Sequence, residues 1–285
     1  MNSQPLLSVC IPAHNEEGNI GRTIDVISQT LMRHEIPYEF VISNDNSKDG
    51  TEQIIRAKMA QGLPIVLVNR RPPGGFGRAV RSCLQNFRGD FVVIVMADLS
   101  DEPEDIIKYY KALKDGNDAV FGSRFMKGAV VKDYPFIKLI ANRVGNKLIQ
   151  LMFRTRHNDL TNAFKGYRAD AVRSIMPLYS SHFNLTIELS LGLMIRNFKI
   201  ATVPVNWYGR NWGRANFKIR ELGRRYFATL FKLYAERLFI MDDVMTEHDM
   251  KLESLRSDMP SVEEVISTSN HENNTSNGWS RVCRV

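Results

Sequence analysis

The sequence predicts an α/β fold, a mostly parallel sheet flanked by helices, and three features predict it. Strand-like apolar runs alternate with helical stretches at intervals of roughly 25 to 30 residues, the rhythm of right-handed βαβ units. The runs are short and apolar throughout, Phe91-Val92-Val93-Ile94-Val95 being the clearest, as in a strand buried on both faces. Three of the strands run into Asp, Glu or Asn, so polar side chains gather at the carboxyl edge, where open α/β sheets bind ligands.

Residues 6–11 form the first strand, and Pro12 ends it. Pro12-Ala13-His14-Asn15-Glu16-Glu17 then turns into a helix over about residues 18–33, with Asn15 as its N-cap and acids in its first turn. A second strand over residues 38–43 runs into Asn44-Asp45-Asn46-Ser47-Lys48-Asp49-Gly50-Thr51, a tight polar loop, and a helix over residues 52–60 follows. Residues 64–69 give a third strand. Pro72-Pro73-Gly74-Gly75-Phe76-Gly77 opens the next helix; the full GxGxxG pattern is absent, which argues against a dinucleotide fold.

The fourth strand ends at Met96-Ala97-Asp98-Leu99-Ser100-Asp101-Glu102-Pro103. A carboxylate at Asp98 is placed to hold a hard divalent cation, and the cation to hold a diphosphate. Ser100 and Asp101 read first as caps of the helix starting near Pro103. A fifth strand over residues 118–121 ends at Gly122-Ser123-Arg124, and a guanidinium there can grip a phosphate bidentately. Residues 136–153 place Ile137, Ile140, Ala141, Val144, Leu148 and Leu151 at helical spacing, with Lys138, Arg143 and Lys147 on other faces. That pattern suits a packed core helix or a helix lying on a membrane surface.

Asp159 lies in a polar segment over residues 158–168, and Glu188 sits amid apolar residues, where a carboxylate needs a partner or a task. Residues 198–205 form a last strand. The loop from Trp207 to Lys218 interleaves aromatic and basic residues with glycines, so it can close over a ligand with Arg210 and Lys218 facing a diphosphate. A helix over residues 222–241 has an aromatic face and basic flanks suited to lipid headgroups. From residue 246 the chain turns polar and reads as a disordered tail.

The chain has 285 residues, a formal charge of +7 and three widely spaced cysteines. The charge points to anionic partners, and the cysteines to reduced thiols without a zinc site. Neither a secretory signal nor an apolar run of about 18 residues is evident, which predicts a cytoplasmic protein with peripheral membrane contact. The basic residues gather near the presumed site mouth and on the two amphipathic helices, so nucleic acid is not needed to explain them.

Pro12-Ala13-His14-Asn15-Glu16, the loop from Asn44 to Thr51, and Ala97-Asp98 resemble the PAYNE, DDGSxDGT and Asp-x-Asp motifs of inverting family 2 glycosyltransferases with the GT-A fold. Gly122-Ser123-Arg124-Phe125 and Arg210-Asn211-Trp212-Gly213 resemble the branch that includes dolichol-phosphate mannose synthase. The resemblance implies one GT-A domain over residues 1–220, an amphipathic, membrane-associating helix over 221–245 and a tail over 246–285. It places Pro12, Ala13, His14, Glu16, Ser43, Asp45, Gly75, Ala97 and Asp98 at the nucleotide. It places Mg²⁺ or Mn²⁺ on Asp98, with Ser100 as a second ligand. Met96 stands where the family has the first acid of Asp-x-Asp, Asn44 where it has an Asp, and Ala215-Asn216 where it has Ser-Lys.

Three functions follow as expectations. In the first, a sugar moves with inversion from a nucleotide-diphosphate donor to a polyprenyl phosphate. Asp98, Arg210 and Lys218 then meet the diphosphate, Arg124, Lys138, Arg143 and Asp159 line the acceptor side, and Glu188 is structural or orients the sugar. In the second, the acceptor is a sugar hydroxyl, and Glu188 or Asp159 is the base. In the third, the chain binds nucleotide sugars without catalysis.

Overall fold

The computed structural model describes residues 4–209 and 219–240, with the side chains of 219–222 left out. The expectations placed on Arg210, Lys218, Ala215-Asn216 and the tail lie outside the described residues. Residues through Ala235 belong to one compact unit; of the second, from Glu236, only the end of the last helix is described.

The first half alternates as the sequence requires: β1 (Leu7–Ala13), α1 (Ile20–Arg33), β2 (Tyr38–Asp45), α2 (Thr51–Ala60), β3 (Ile65–Arg70), α3 (Phe76–Asn86), β4 (Phe91–Ile94), α4 (Pro103–Lys114) and β5 (Ala119–Ser123). The rest adds β6 (Val131–Lys132), α5 (Phe136–Phe153), β7 (Lys165–Arg168), α6 (Ala169–Ser174), α7 (Leu185–Met194), β8 (Ile200–Pro204), β9 (Trp207–Tyr208) and α8 (Ile219–Ile240). Seven strands form one sheet in the order β3-β2-β1-β4-β7-β5-β8, parallel except for β7.

Strand period two sorts the side chains. Leu7, Val9, Ile11, Phe40, Ile42, Phe91 and Val93 face the layer of α1 and α4, where Ile20, Ile24, Ile27 and Leu31 meet them at helical spacing. Their neighbours face α3 on the other side, where the Cys83 thiol lies 3.2 Å from the Val41 carbonyl oxygen. Cys10 and Cys83 are buried free thiols.

Four local expectations are corrected. Asn15 does not cap α1: it adopts φ 55°, the helix begins at Ile20, and Asn15 instead accepts from Lys48 N at 2.8 Å and donates its own N–H to Ser47 Oγ at 3.0 Å. Neither Ser100 nor Asp101 caps α4, whose N-cap is Glu102. The segment holding Lys165 enters the sheet as β7, antiparallel between β4 and β5. The core-helix alternative for α5 fails as well. Ile137, Ile140, Val144, Leu148 and Leu151 are exposed, at up to 77%, and the helix rests on Asn146, Ile149 and Phe153 instead. Among the described residues no helix is long and apolar enough to cross a membrane.

Candidate active site

At the carboxyl ends of β1 and β2, the Asp45 carboxylate is buried and meets two donors, the Arg70 guanidinium and the Gly75 N–H at 2.6 Å. Gly75 has φ 149°, and a Cβ there would stand 2.4 Å from the Ser181 carbonyl oxygen. Glycine is therefore required where this turn meets the 181–182 segment. The Asp45 carbonyl oxygen lies 2.7 Å from His14 Nδ1. Glu16 is buried, takes the Asn19 amide at 2.8 Å on its carboxylate and gives its own N–H to Thr51 Oγ1 at 2.8 Å. Pro12 and Ala13 are buried beside Ser43 and Asn44 in parallel register. Ser43 is fully buried, and its hydroxyl has no hydrogen-bond partner among the described residues. His14, Asp45 and Gly75 are thus brought together, with Glu16 behind them. Arg70, which the sequence analysis missed, completes the cluster; its position at the end of a strand beside the loop of Asp45 was the available signal.

The loop after β4 is tightly organised. Ala97 is buried, its carbonyl accepting from Thr23 Oγ1 at 2.7 Å. Leu99 adopts φ 54°, a left-handed turn uncommon for this residue type, and it brings the Ser100 N–H back to Asp98 Oδ1 at 3.1 Å. Asp101 folds under the same loop, its carboxylate accepting from Met96 N at 3.1 Å. Burial raises the Asp101 carboxyl to about 7; the Met96 N–H opposes this, and the nearby Asp98 charge adds to it. Asp101 is a second residue that sequence reading passed over, as a cap. Tyr208 N donates to the Ser100 carbonyl at 2.9 Å, and Asp101 bridges to Trp207, so β9 lies along this loop.

No group of three or more His, Cys, Asp or Glu side chains among the described residues converges to hold a metal ion unaided. One carboxylate at Asp98, oriented by a backbone N–H and adjoined by Ser100, would suit only an ion that takes most of its ligands from substrate phosphates and water. Mg²⁺ and Mn²⁺ are of that kind.

The acceptor-side candidates also assemble. Arg124 and Asp159 form a buried bidentate pair, with Nε to Oδ2 at 2.8 Å and Nη2 to Oδ1 at 2.7 Å, and the Arg124 backbone N–H adds a third donor at 3.0 Å. Burial lowers the guanidinium's pKa, but the Asp159 charge more than offsets this, and the arginine stays cationic. Its carbon sits 5.5 Å from the rings of both Phe125 and Tyr134. Arg143 lies over Phe125 at 4.6 Å and Lys138 over Tyr134 at 5.6 Å, which gathers three cations around two rings.

Glu188 points elsewhere. Its carboxylate accepts from Tyr179 N at 3.1 Å, Ser180 N at 2.7 Å and Lys232 Nζ at 3.1 Å. Burial pushes this carboxyl up, but the backbone donors and Lys232 outweigh it and hold it below the ordinary carboxylate range. Its place is behind the 179–182 segment that walls the Gly75 turn. Lys165 is fully buried, donating to the Leu160 carbonyl at 2.6 Å and Ser190 Oγ at 2.5 Å, and burial lowers its ammonium to about 7.

Comparison with known proteins bears on the family and the fold. Residues 8–176, more than half of the chain, match the family model described as glycosyl transferase family 2. The dolichol-phosphate mannosyltransferase of Pyrococcus furiosus is 25% identical over 228 residues, covering 80% of this chain and 62% of the relative. This chain thus spans less than two thirds of that protein. The polyprenol monophosphomannose synthase of Mycolicibacterium smegmatis is 25% identical over 236 residues, covering 76% of this chain and 86% of the relative. Glucosyl-3-phosphoglycerate synthase from Mycobacterium tuberculosis, solved with Mn²⁺, UDP and glucosyl-3-phosphoglycerate, superposes with a TM-score of 0.61 at 23% identity, covering 81% of this chain and 80% of that one. That likeness carries the fold, a single GT-A domain with a mostly parallel sheet. With more than half of its residues matching that model, the chain belongs to glycosyl transferase family 2.

Proposed function

We propose that this glycosyltransferase moves a sugar, with inversion and with a divalent metal, from a nucleotide-diphosphate donor to a polyprenyl phosphate. One observation carries the acceptor: the two carboxylates that the sequence offers as a general base, Glu188 and Asp159, are both committed. Asp159 is clamped by Arg124, and Glu188 is held by two backbone N–H groups and Lys232. A hydroxyl acceptor needs its proton removed, and neither group is poised for that. A phosphate monoester, whose second pKa is about 6, reaches neutral pH already ionised and needs alignment instead. Two relatives are named for lipid-phosphate acceptors, which supports the same choice.

In this reading His14, Glu16, Asp45 and Gly75 hold the nucleoside end of the donor, and Asp98 with Ser100 holds Mg²⁺ or Mn²⁺. The ion, when bound, neutralises charge growing on the departing diphosphate. Arg210 and Lys218, outside the described residues, meet the same diphosphate. Lys138 and Arg143 orient the acceptor phosphate beside Tyr134, and the Arg124–Asp159 pair keeps that wall rigid. The exposed stripe of α5 and the outward Phe227 and Phe231 of α8, flanked by these cations, lie against an anionic membrane surface, so that the enzyme works peripherally at its cytoplasmic face.

The test is thermal unfolding with nucleoside diphosphates, with and without Mn²⁺, followed by turnover with a polyprenyl phosphate. The matching nucleotide at 100 times its dissociation constant adds about 2.7 kcal/mol of stability. Asp98→Asn is expected to abolish the manganese-dependent part. An unchanged manganese effect in that variant refutes the metal assignment, and binding without turnover on any acceptor refutes the enzymatic one.

A further inference from the structure

We propose that the arginine-lined cavity between α3 and the 173–178 segment is a second anion site, taking a phosphate or diphosphate group separately from the Asp98 centre. The cavity has a volume of about 360 Å³ and is lined by Arg70, Arg78, Arg81 and Arg173, with Leu84 and Pro177 among its apolar walls. That is within the roughly 300–1,000 Å³ of small-ligand clefts. Arg78 and Arg81 project from successive turns of α3, three residues apart and hence on one face. Arg173 enters from the last turn of α6.

The Arg78 and Arg81 guanidinium groups are hydrogen-bonded to backbone carbonyls before any ligand arrives. Arg81 Nη1 donates to the Leu178 carbonyl at 2.5 Å, and Arg78 Nη1 to the Gly74 carbonyl at 2.8 Å. Arg173 lies over the Phe87 ring at 4.9 Å. Only Arg70 of the four has a carboxylate partner, Asp45; among the described residues Arg78, Arg81 and Arg173 have none within ion-pair distance. The crowding registers at Arg81, whose guanidinium is held below its usual range by burial first and then, against the opposing charge of Glu188, by Arg78 and Arg70. Converging cations in excess of the nearby carboxylates repel one another, and an anion removes that repulsion. Planar guanidinium groups held at one edge leave other N–H donors to phosphate oxygens, in the bidentate geometry arginine favours. A lipid headgroup and a soluble phosphate offer the same chemistry.

Inorganic pyrophosphate titrated calorimetrically into the metal-free full-length chain tests this, with phosphatidic acid vesicles as the lipid arm. Saturable binding is expected in at least one arm. Arg173→Gln and Arg81→Gln should each weaken it at least tenfold, and Asp98→Asn should leave it unchanged. The control Lys111→Gln/Lys114→Gln, which removes two charges from α4 across the sheet, should also leave it unchanged. Vesicle binding that depends on the arginines but has no soluble counterpart identifies a headgroup; pyrophosphate binding alone identifies a soluble ligand. Arg81→Gln also loses the bond to Leu178; should it not fold, the exposed Arg173→Gln decides. No saturable binding in either arm, an unchanged affinity in Arg173→Gln, or equal weakening in the lysine control overturns the proposal.

Discussion

Replacing Arg124 with methionine should destabilise the protein by about 3–5 kcal/mol, because it strands a buried carboxylate. The Asp159 side chain is 0% exposed and that of Arg124 8%, so water cannot take the place of the lost partner. In the native structure Asp159 receives Nε at 2.8 Å, Nη2 at 2.7 Å and the backbone N–H of Arg124 at 3.0 Å; in Arg124→Met only the last remains. For a domain of this size each kcal/mol moves the melting midpoint by about 2–4 °C, so a fall of roughly 6–20 °C is expected. Arg124→Met/Asp159→Leu removes both charges and should cost less than the sum of the single changes. The shortfall, read from a thermodynamic cycle by urea melts, is the coupling between the two groups. The reasoning is refuted if Arg124→Met melts within about 2 °C of the parent while transfer to polyprenyl phosphate collapses. The guanidinium would then be a ligand contact rather than a partner of Asp159.

Glu188→Gln turns an amide N–H₂ toward the donors of Tyr179 and Ser180 and should destabilise by about 1–3 kcal/mol. Turnover on a lipid phosphate should fall less than tenfold; a loss of several orders of magnitude with the fold intact would make Glu188 a base and the acceptor a hydroxyl. Lys165 binds fewer protons folded than unfolded between about pH 7 and its ordinary 10.5, so its contribution to stability rises with pH across that window. The parent's melting midpoint should therefore climb relative to Lys165→Met over that range, and parallel pH profiles would contradict the burial argument. Ile140→Glu/Leu148→Glu, at two exposed positions of α5, should leave the melting midpoint unchanged and abolish sedimentation with phosphatidylglycerol vesicles. Undiminished sedimentation would remove α5 from the membrane surface.

Much of the candidate site could be read along the chain because its residues sit at strand ends. His14, Asp45 and Asp98 follow the apolar runs of β1, β2 and β4, and a parallel sheet brings such ends to one edge. Arg124 and Asp159 could each be singled out, but not their union: 35 residues separate them, and the insertion of β7 brings them together. β7 itself was hidden because Lys165-Gly166-Tyr167-Arg168 has no apolar run; Gly166 admits the ring of Tyr109, and Lys165 finds its oxygens on Leu160 and Ser190. The stripe on α5 had the right period, but period alone does not say which side of a helix meets the body. Asn146, pinned by the Leu160 N–H at 2.7 Å, settled that.

The sequence by itself determined the α/β alternation, the family and the polar loops at the strand ends, since these rest on local periodicity and short motifs. Tertiary structure alone decided which charges neutralise one another. Asp159 closes on Arg124, Glu188 on the 179–180 backbone and Lys232, and Asp45 on Arg70, while Arg78, Arg81 and Arg173 are left facing a cavity. The reason is physical: a side chain's charge is written in the sequence, but its dielectric surroundings and partner are set by segments distant along the chain.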